Sequence, residues 1–274
     1  MNLMKKILAG MAALIATVSC ADKTPKVLIL YYSQTSNTAT VAEEIFSMIH
    51  ADSEEIVPQE PYDGDFRQTI ERCLKEREEG TVPEIQPISS DLSDYDIIFL
   101  GYPVWFGTSA PPITGLLKSV NLDGKKIVPF CTFGSGGLDS SVRDLREQLP
   151  NAEILPGYGV RAARLAAAHR ELERFLKANG FIEGEYEAPE EFPDPHPVTE
   201  EEAAIFDAAV DGYPMLNAQA TAVASRAVPD GTEYLFTAAD RPREQGPDVP
   251  PAGELKVYVL VEPGQVPVFT QVVR

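Results

Sequence analysis

The chain of 274 residues is poor in sulphur, imidazole and indole, with three cysteines, three histidines and a single tryptophan. No two cysteines form a CxxC pair, and His50, His169 and His196 are scattered. No metal-ligand spacing is therefore present. Cys73 falls in a helical pattern and Cys131 ends an apolar run, so both are expected as unpaired, buried thiols. Basic residues are also scarce: 23 Lys and Arg stand against 42 Asp and Glu, a formal net charge of −19. A surface of that sign repels nucleic-acid phosphates and anionic lipid headgroups, and it keeps the chain soluble. The phosphate-loop pattern GxxxxGK[ST] is missing, and no GxGxxG follows a strand.

The first apolar run, ILAGMAALIATV, is too short to span a bilayer. It follows MNLMKK and ends in VSC, so residues 1–19 read as a secretory signal peptide. A cysteine directly after small residues resembles a bacterial lipoprotein signal, in which Cys20 is lipidated and becomes the new N-terminus. Thr17 stands where such signals usually carry Leu, and cleavage near Ala21 is the alternative. The expectation is an exported chain with residues 20–25 as a tether, touching a membrane only through a lipid anchor at Cys20. Losing residues 1–19 removes Lys5 and Lys6 and no acid, so the mature chain is more acidic still.

Beyond the tether, β-rich apolar runs alternate with helical spacings. Strands are expected at 26–32, 55–57, 95–101 and 126–131, with 152–155 and 159–160 together making the last. Helices are expected at 38–49, 65–79 (with Phe66, Ile70, Cys73 and Leu74 facing inward), 112–120, 140–148 and 162–179. Five alternations argue for an α/β domain with a parallel sheet and helices on both faces. Ligands of such sheets bind where loops leave the carboxyl ends of the strands.

Three of those loops stand out. The first, Ser33-Gln34-Thr35-Ser36-Asn37-Thr38, is neutral and rich in donors, and it enters a helix N-terminus that favours an anion. Without Lys or Arg it suits a phosphate monoester better than a nucleoside triphosphate. The second, Tyr102-Pro103-Val104-Trp105-Phe106-Gly107, holds the only tryptophan and can cover a planar ring. The third, Thr132-Phe133-Gly134-Ser135-Gly136-Gly137, lets backbone approach a ligand closely. Read singly, each loop has a plainer explanation: a helix-capping cluster, a hydrophobic plug and a flexible connection.

Taken in order, SQTSNTATVAEEI, YDIIFLGYPVWFGTSAPP and IVPFCTFGSGG resemble the flavodoxin family, and most of all its stand-alone bacterial branch. The resemblance spans about Lys26 to Asn179. It implies a five-stranded parallel sheet of order 2-1-3-4-5, flanked by helices, and one bound FMN. It implies that Ser33, Thr35, Ser36, Asn37 and Thr38 hold the phosphate, with Gln34 counted among the cofactor-binding residues of the same loop. Pro103, Val104, Trp105, Phe106 and Gly107 would flank the flavin ring, and Thr132, Phe133, Gly134 and Gly136 would line its other edge. One departure stands out. The family usually has Gly before the Asn, where this chain has Ser36, and a positive φ there would cost on the order of 1 kcal/mol.

Residues 26–183 thus form the FMN domain, and 184–199 (within EYEAPEEFPDPHPVTEEE) an extended acidic linker. Residues 200–274 form an α+β unit, a helix followed by four antiparallel strands, with a hairpin turn at Glu262-Pro263-Gly264-Gln265. RAVPDGTEYLF followed by ELKVYVLVEPG resembles the cystatin-like fold. The Gln of its inhibitory Q-x-V-x-G loop is missing and Pro-Asp is inserted, so protease inhibition is not expected. Three functions follow from these resemblances. The first is an FMN electron carrier with an unidentified redox partner or acceptor. The second is an NAD(P)H-dependent flavin or quinone reductase on the same fold. The third is a flavin-free scaffold that binds a partner through its C-terminal domain.

Overall fold

The computed structural model describes residues 24–213, 216–240 and 253–273. The signal segment and Cys20 lie outside them. The order is β1 Val27–Tyr31, α1 Asn37–Met48, β2 Asp52–Glu55, α2 Phe66–Glu79, β3 Ile97–Trp105, β4 Thr108–Ser109, α3 Pro111–Ser119, β5 Lys126–Phe133, α4 Leu138–Gln148, β6 Glu153–Ile154, β7 Tyr158–Arg161 and α5 Ala168–Ala178. The C-terminal part adds β8 His196–Pro197, α6 Glu200–Val210, β9 Ala218–Val228, β10 Gly231–Asp240, β11 Glu254–Val261 and β12 Val268–Val273.

The first sheet runs β2-β1-β3-β5, with β6 and β7 both beside β5, all in parallel. This is the expected 2-1-3-4-5 order, with the fifth strand broken into two pieces. Alternation along each strand decides which layer a residue enters. Leu28, Leu30, Ile98 and Leu100 pack with Ile113, Leu116 and Leu145 on one face. Val27, Ile29, Ile97 and Phe99 pack with Val41, Ile45, Leu172 and Leu176 on the other. Because both faces are covered, these strands are continuously apolar. The thiols of Cys73 and Cys131 are free and buried, as expected.

Two helices depart from expectation. The inner face of α2 runs through Thr69 and Cys73, while Phe66 is 82% and Leu74 50% exposed. Arg72 and Glu76 flank that buried stripe as an i,i+4 pair, with the guanidinium 3.8 Å from the Tyr62 ring centroid. The stripe is therefore turned to bring this polar pair against Tyr62. The single helix expected at 162–179 is a 3₁₀ segment, Ala162–Ala167, broken at Arg164 (φ −120°), followed by α5. The break lets Arg164 fold back on Glu171.

The C-terminal sheet is antiparallel, in order β12-β11-β10-β9-β8. Helix α6 lays Phe206 against Phe236, Val257 and Phe269 in its core. The linker is not loose throughout. Phe192 packs on Tyr258 and under Arg226, and His196–Pro197 joins the sheet edge. The two domains meet through Arg170 and Arg174 on α5, which pair with Asp230 and, for Arg170, with Glu262.

Candidate functional site

The three loops leave the carboxyl ends of β1, β3 and β5, which are neighbours in the sheet, so topology brings them to one edge. Side chains tie them together. The buried hydroxyls of Thr38 and Thr132 lie 2.9 Å apart and join the first loop to the third. The Ser140 hydroxyl donates to the Gly107 carbonyl at 2.6 Å, and Gly137 (φ +123°) packs on Val104, joining the third to the second. Trp105 stands edge-on to Tyr32 and Tyr62, at 6.0 and 5.3 Å between centroids, which ties the second loop to the first. Burial pushes the phenols of Tyr32 and Tyr62 up, so this aromatic wall is neutral.

In the first loop, Ser36 adopts φ +62°, ψ −4° and caps α1 without a side-chain hydrogen bond. A left-handed residue directly before right-handed ones turns successive amides into one concavity, a geometry that holds anions. The Ser33 hydroxyl accepts from the Ala39 amide and keeps its own proton to donate. The Asn37 side chain donates to the Thr35 hydroxyl, and Thr35 and Ser36 are exposed. Gln34 is placed differently from the others. Both of its amide hydrogens are used, on the Tyr62 carbonyl and the Thr69 hydroxyl, so it braces the loop against α2. The remaining donor set is neutral, with Thr35 and Ser36 open to solvent, and fits a phosphate monoester.

The left-handed Ser36 yields a direct test. Ser36→Gly removes about 1–2 kcal/mol of steric strain and restores about 0.5–1 kcal/mol of chain entropy to the unfolded state. A net gain of several tenths of a kcal/mol is expected in urea unfolding. A loss would show that the serine side chain contributes more than its backbone costs.

The second loop closes as a two-residue hairpin between β3 and β4, with positive φ at both Phe106 (52°) and Gly107 (80°). The strain at Phe106 holds an aromatic ring 50% exposed at the rim, with the Arg77 guanidinium 5.7 Å from its centroid. Pro103 and Val104 are half-buried beneath it.

The third loop is shared with the C-terminal domain. Phe133 and Thr132 are buried in the sheet, but a side chain at Gly134 would meet the Tyr213 hydroxyl, and one at Gly136 would strike the Val272 backbone. The Val272 amide donates to the Ser135 carbonyl at 2.7 Å. Two glycines expected to admit a ligand therefore admit β12 and its neighbour. Sequence reasoning missed Tyr32, Tyr62, Ser140 and Arg161. Only Arg161 left a signal, as a lone charge closing the strand YGVR. The thiols take no part: burial pushes Cys73 up to about 11 and Cys131 up further. Among the described residues no group of His, Cys, Asp and Glu could hold a metal ion, and no helix is long and apolar enough to cross a membrane.

Comparison with known proteins agrees with this fold. A family model described as flavodoxin matches residues 26–176. A solved flavoprotein from Bacteroides eggerthii is 25% identical, with a TM-score of 0.51, over 57% of this chain and 98% of its own. A flavoprotein from Lactobacillus acidophilus, solved in complex with FMN, is 30% identical over 50% of this chain and 93% of its own, with a TM-score of 0.46. No curated protein matches.

Proposed function

The chain belongs to the flavodoxin family, and from that premise we propose that it binds FMN at the three-loop edge and serves as an electron-transfer flavoprotein. The observation that carries this reading is the first loop: a left-handed Ser36 opening α1, surrounded by neutral donors and with no cation. Bound there, FMN would supply the redox chemistry, while the protein sets affinity, potential and access. Ser33, Thr35, Ser36 and Asn37 would hold the phosphate, with Thr38 locked to Thr132 as the floor. Val104, Trp105 and Phe106 would flank the ring. The exposed edge of Phe106 supports exchange with an external partner rather than with a substrate enclosed by the chain.

The signal pattern and Cys20 support an exported, lipid-tethered location. A helix packed across an antiparallel sheet supports the cystatin-like reading of residues 200–274. Asp230, in the loop that would face a protease groove, is turned onto Arg170 and Arg174. That loop is engaged within the chain, which supports a structural role for it over inhibition.

The test is a fluorescence titration of the chain from Ala21 onward with FMN and with riboflavin. FMN is expected to bind with quenched emission, and riboflavin at least about tenfold more weakly, since it lacks the phosphate and forfeits charge-assisted bonds. Equal affinities would remove the phosphate role from the first loop. No binding of either ligand would overturn the flavin reading. Oxidation of NADH or NADPH by the loaded protein would move the assignment to a reductase.

A further inference from the structure

We propose that Arg161 builds the C-terminal domain into the flavin site: it fixes the third loop and leaves behind it a buried positive charge, without a carboxylate partner, that favours the reduced cofactor. The proposal rests on the FMN reading above.

Arg161 closes β7 and lies beside Phe133 in register. Its Nε donates to the Gly134 carbonyl at 2.8 Å, and one terminal nitrogen donates to the Phe269 carbonyl at 2.9 Å. One side chain thus spans the third loop and the C-terminal sheet. The guanidinium lies 3.3 Å from the Phe269 ring centroid and 5.3 Å from that of Tyr213. Every one of these partners is formally neutral.

The other arginines near this interface differ. Arg164 pairs with Glu171, Arg170 with Asp230 and Glu262, Arg174 with Asp230, and Arg226 with Glu233. Arg161 makes no ion pair among the described residues, although it is only 8% exposed. Burial pulls its pKa down to about 10, with Tyr213 and Arg164 as the other influences, so it remains a cation at neutral pH. Burying a guanidinium without a counter-charge is costly. A merely adhesive contact could be made by a neutral side chain at less cost.

The charge stands directly behind a loop expected to line the flavin. Reduction adds negative charge to the cofactor. The acidic surface opposes that change, but solvated carboxylates are screened within roughly 10 Å. A desolvated cation behind Gly134 acts through a medium of lower dielectric, and its effect is on the order of tenfold in the equilibrium constant.

The experiment measures the midpoint potential of the FMN-loaded full-length mature protein against reference dyes, together with the affinity for oxidised FMN. Arg161→Gln and Arg161→Met remove the charge, the first keeping an amide donor at the position from which Nε reaches the Gly134 carbonyl. Arg161→Lys keeps the charge. Asp230→Ala breaks the interdomain ion pairs that Asp230 makes with Arg170 and Arg174 and leaves Arg161 in place. The neutral variants are expected to lose about tenfold in preference for reduced over oxidised cofactor, a shift of about 30 mV downward for a two-electron couple. Arg161→Lys and Asp230→Ala are expected to stay within about twofold of the parent. If Lys shifts the potential as far as Gln and Met do, or if Asp230→Ala matches them, Arg161 is only a mechanical tie and the proposal falls. An unchanged potential in either folded neutral variant overturns it as well. A parent protein that binds no FMN would instead sink the flavin reading, a result distinguishable from the others.

Discussion

Gly101→Ala is expected to cost the first domain about 3 kcal/mol, the upper end for adding one methyl to a packed core. Gly101 lies in β3, opposite Tyr31 on one side and Phe130 on the other. A β-carbon there would fall on the ring of Phe130, within contact of three of its atoms. The ring is fully buried and packed in the layer that holds Ile29, Phe99 and Leu172, so it has no free space to turn into. The Gly101 carbonyl also accepts from the Tyr32 amide, the last ordered bond before the first loop. Strain at this one position would therefore reach the bases of all three loops. Urea denaturation should show a lower midpoint with an unchanged slope, and FMN affinity should fall in parallel. Gly101→Ala combined with Phe130→Leu should recover a large part of the loss, because the smaller side chain vacates the overlap. Additive costs in the double variant would show that the overlap is not the cause.

The first domain was legible in the sequence because its signals are local. Buried parallel strands read as apolar runs, and Leu28 to Leu30 or Ile97 to Leu100 need no partner to be recognised. The order of the sheet came with the family resemblance and is met by β2-β1-β3-β5. The first loop was legible for the same reason: Ser36 and its neighbours precede a helix start that composition alone marks. Phase was harder. Phe66 and Leu74 have helical spacing, yet the buried stripe of α2 follows Thr69 and Cys73 because Tyr62 receives Arg72 and Glu76. That contact comes from a loop outside the helix and leaves no periodic trace. Gln34 was read as one more cofactor-binding residue of that loop, and the bond its amide makes to Thr69 has no local trace because the two are distant in sequence. The glycines of the third loop were read as sites where backbone approaches a ligand. What approaches Gly134 and Gly136 is Tyr213 and Val272, and no local pattern could supply those partners.

Gly136→Val is expected to lift β12 off the third loop. The β-carbon at this position would meet the Val272 carbonyl and its neighbouring backbone atoms, which cannot rotate away as a side chain could. Relief requires the strand or the loop to move, and that movement breaks the bond from the Val272 amide to the Ser135 carbonyl. The interdomain ion pairs of Asp230 and Glu262 lie on other elements and would keep the domains tethered. The effect should therefore be a local opening rather than global unfolding. Overpacking of this kind costs about 1–3 kcal/mol, enough for up to about a hundredfold faster hydrogen exchange at Val272. The amides of β9 and β10, paired with each other in the middle of that sheet, should exchange at the parent rate. If Val272 exchange is unchanged, β12 does not rest on the loop in solution. If β9 and β10 accelerate equally, the C-terminal sheet depends on the loop for its stability, and the two domains unfold as one.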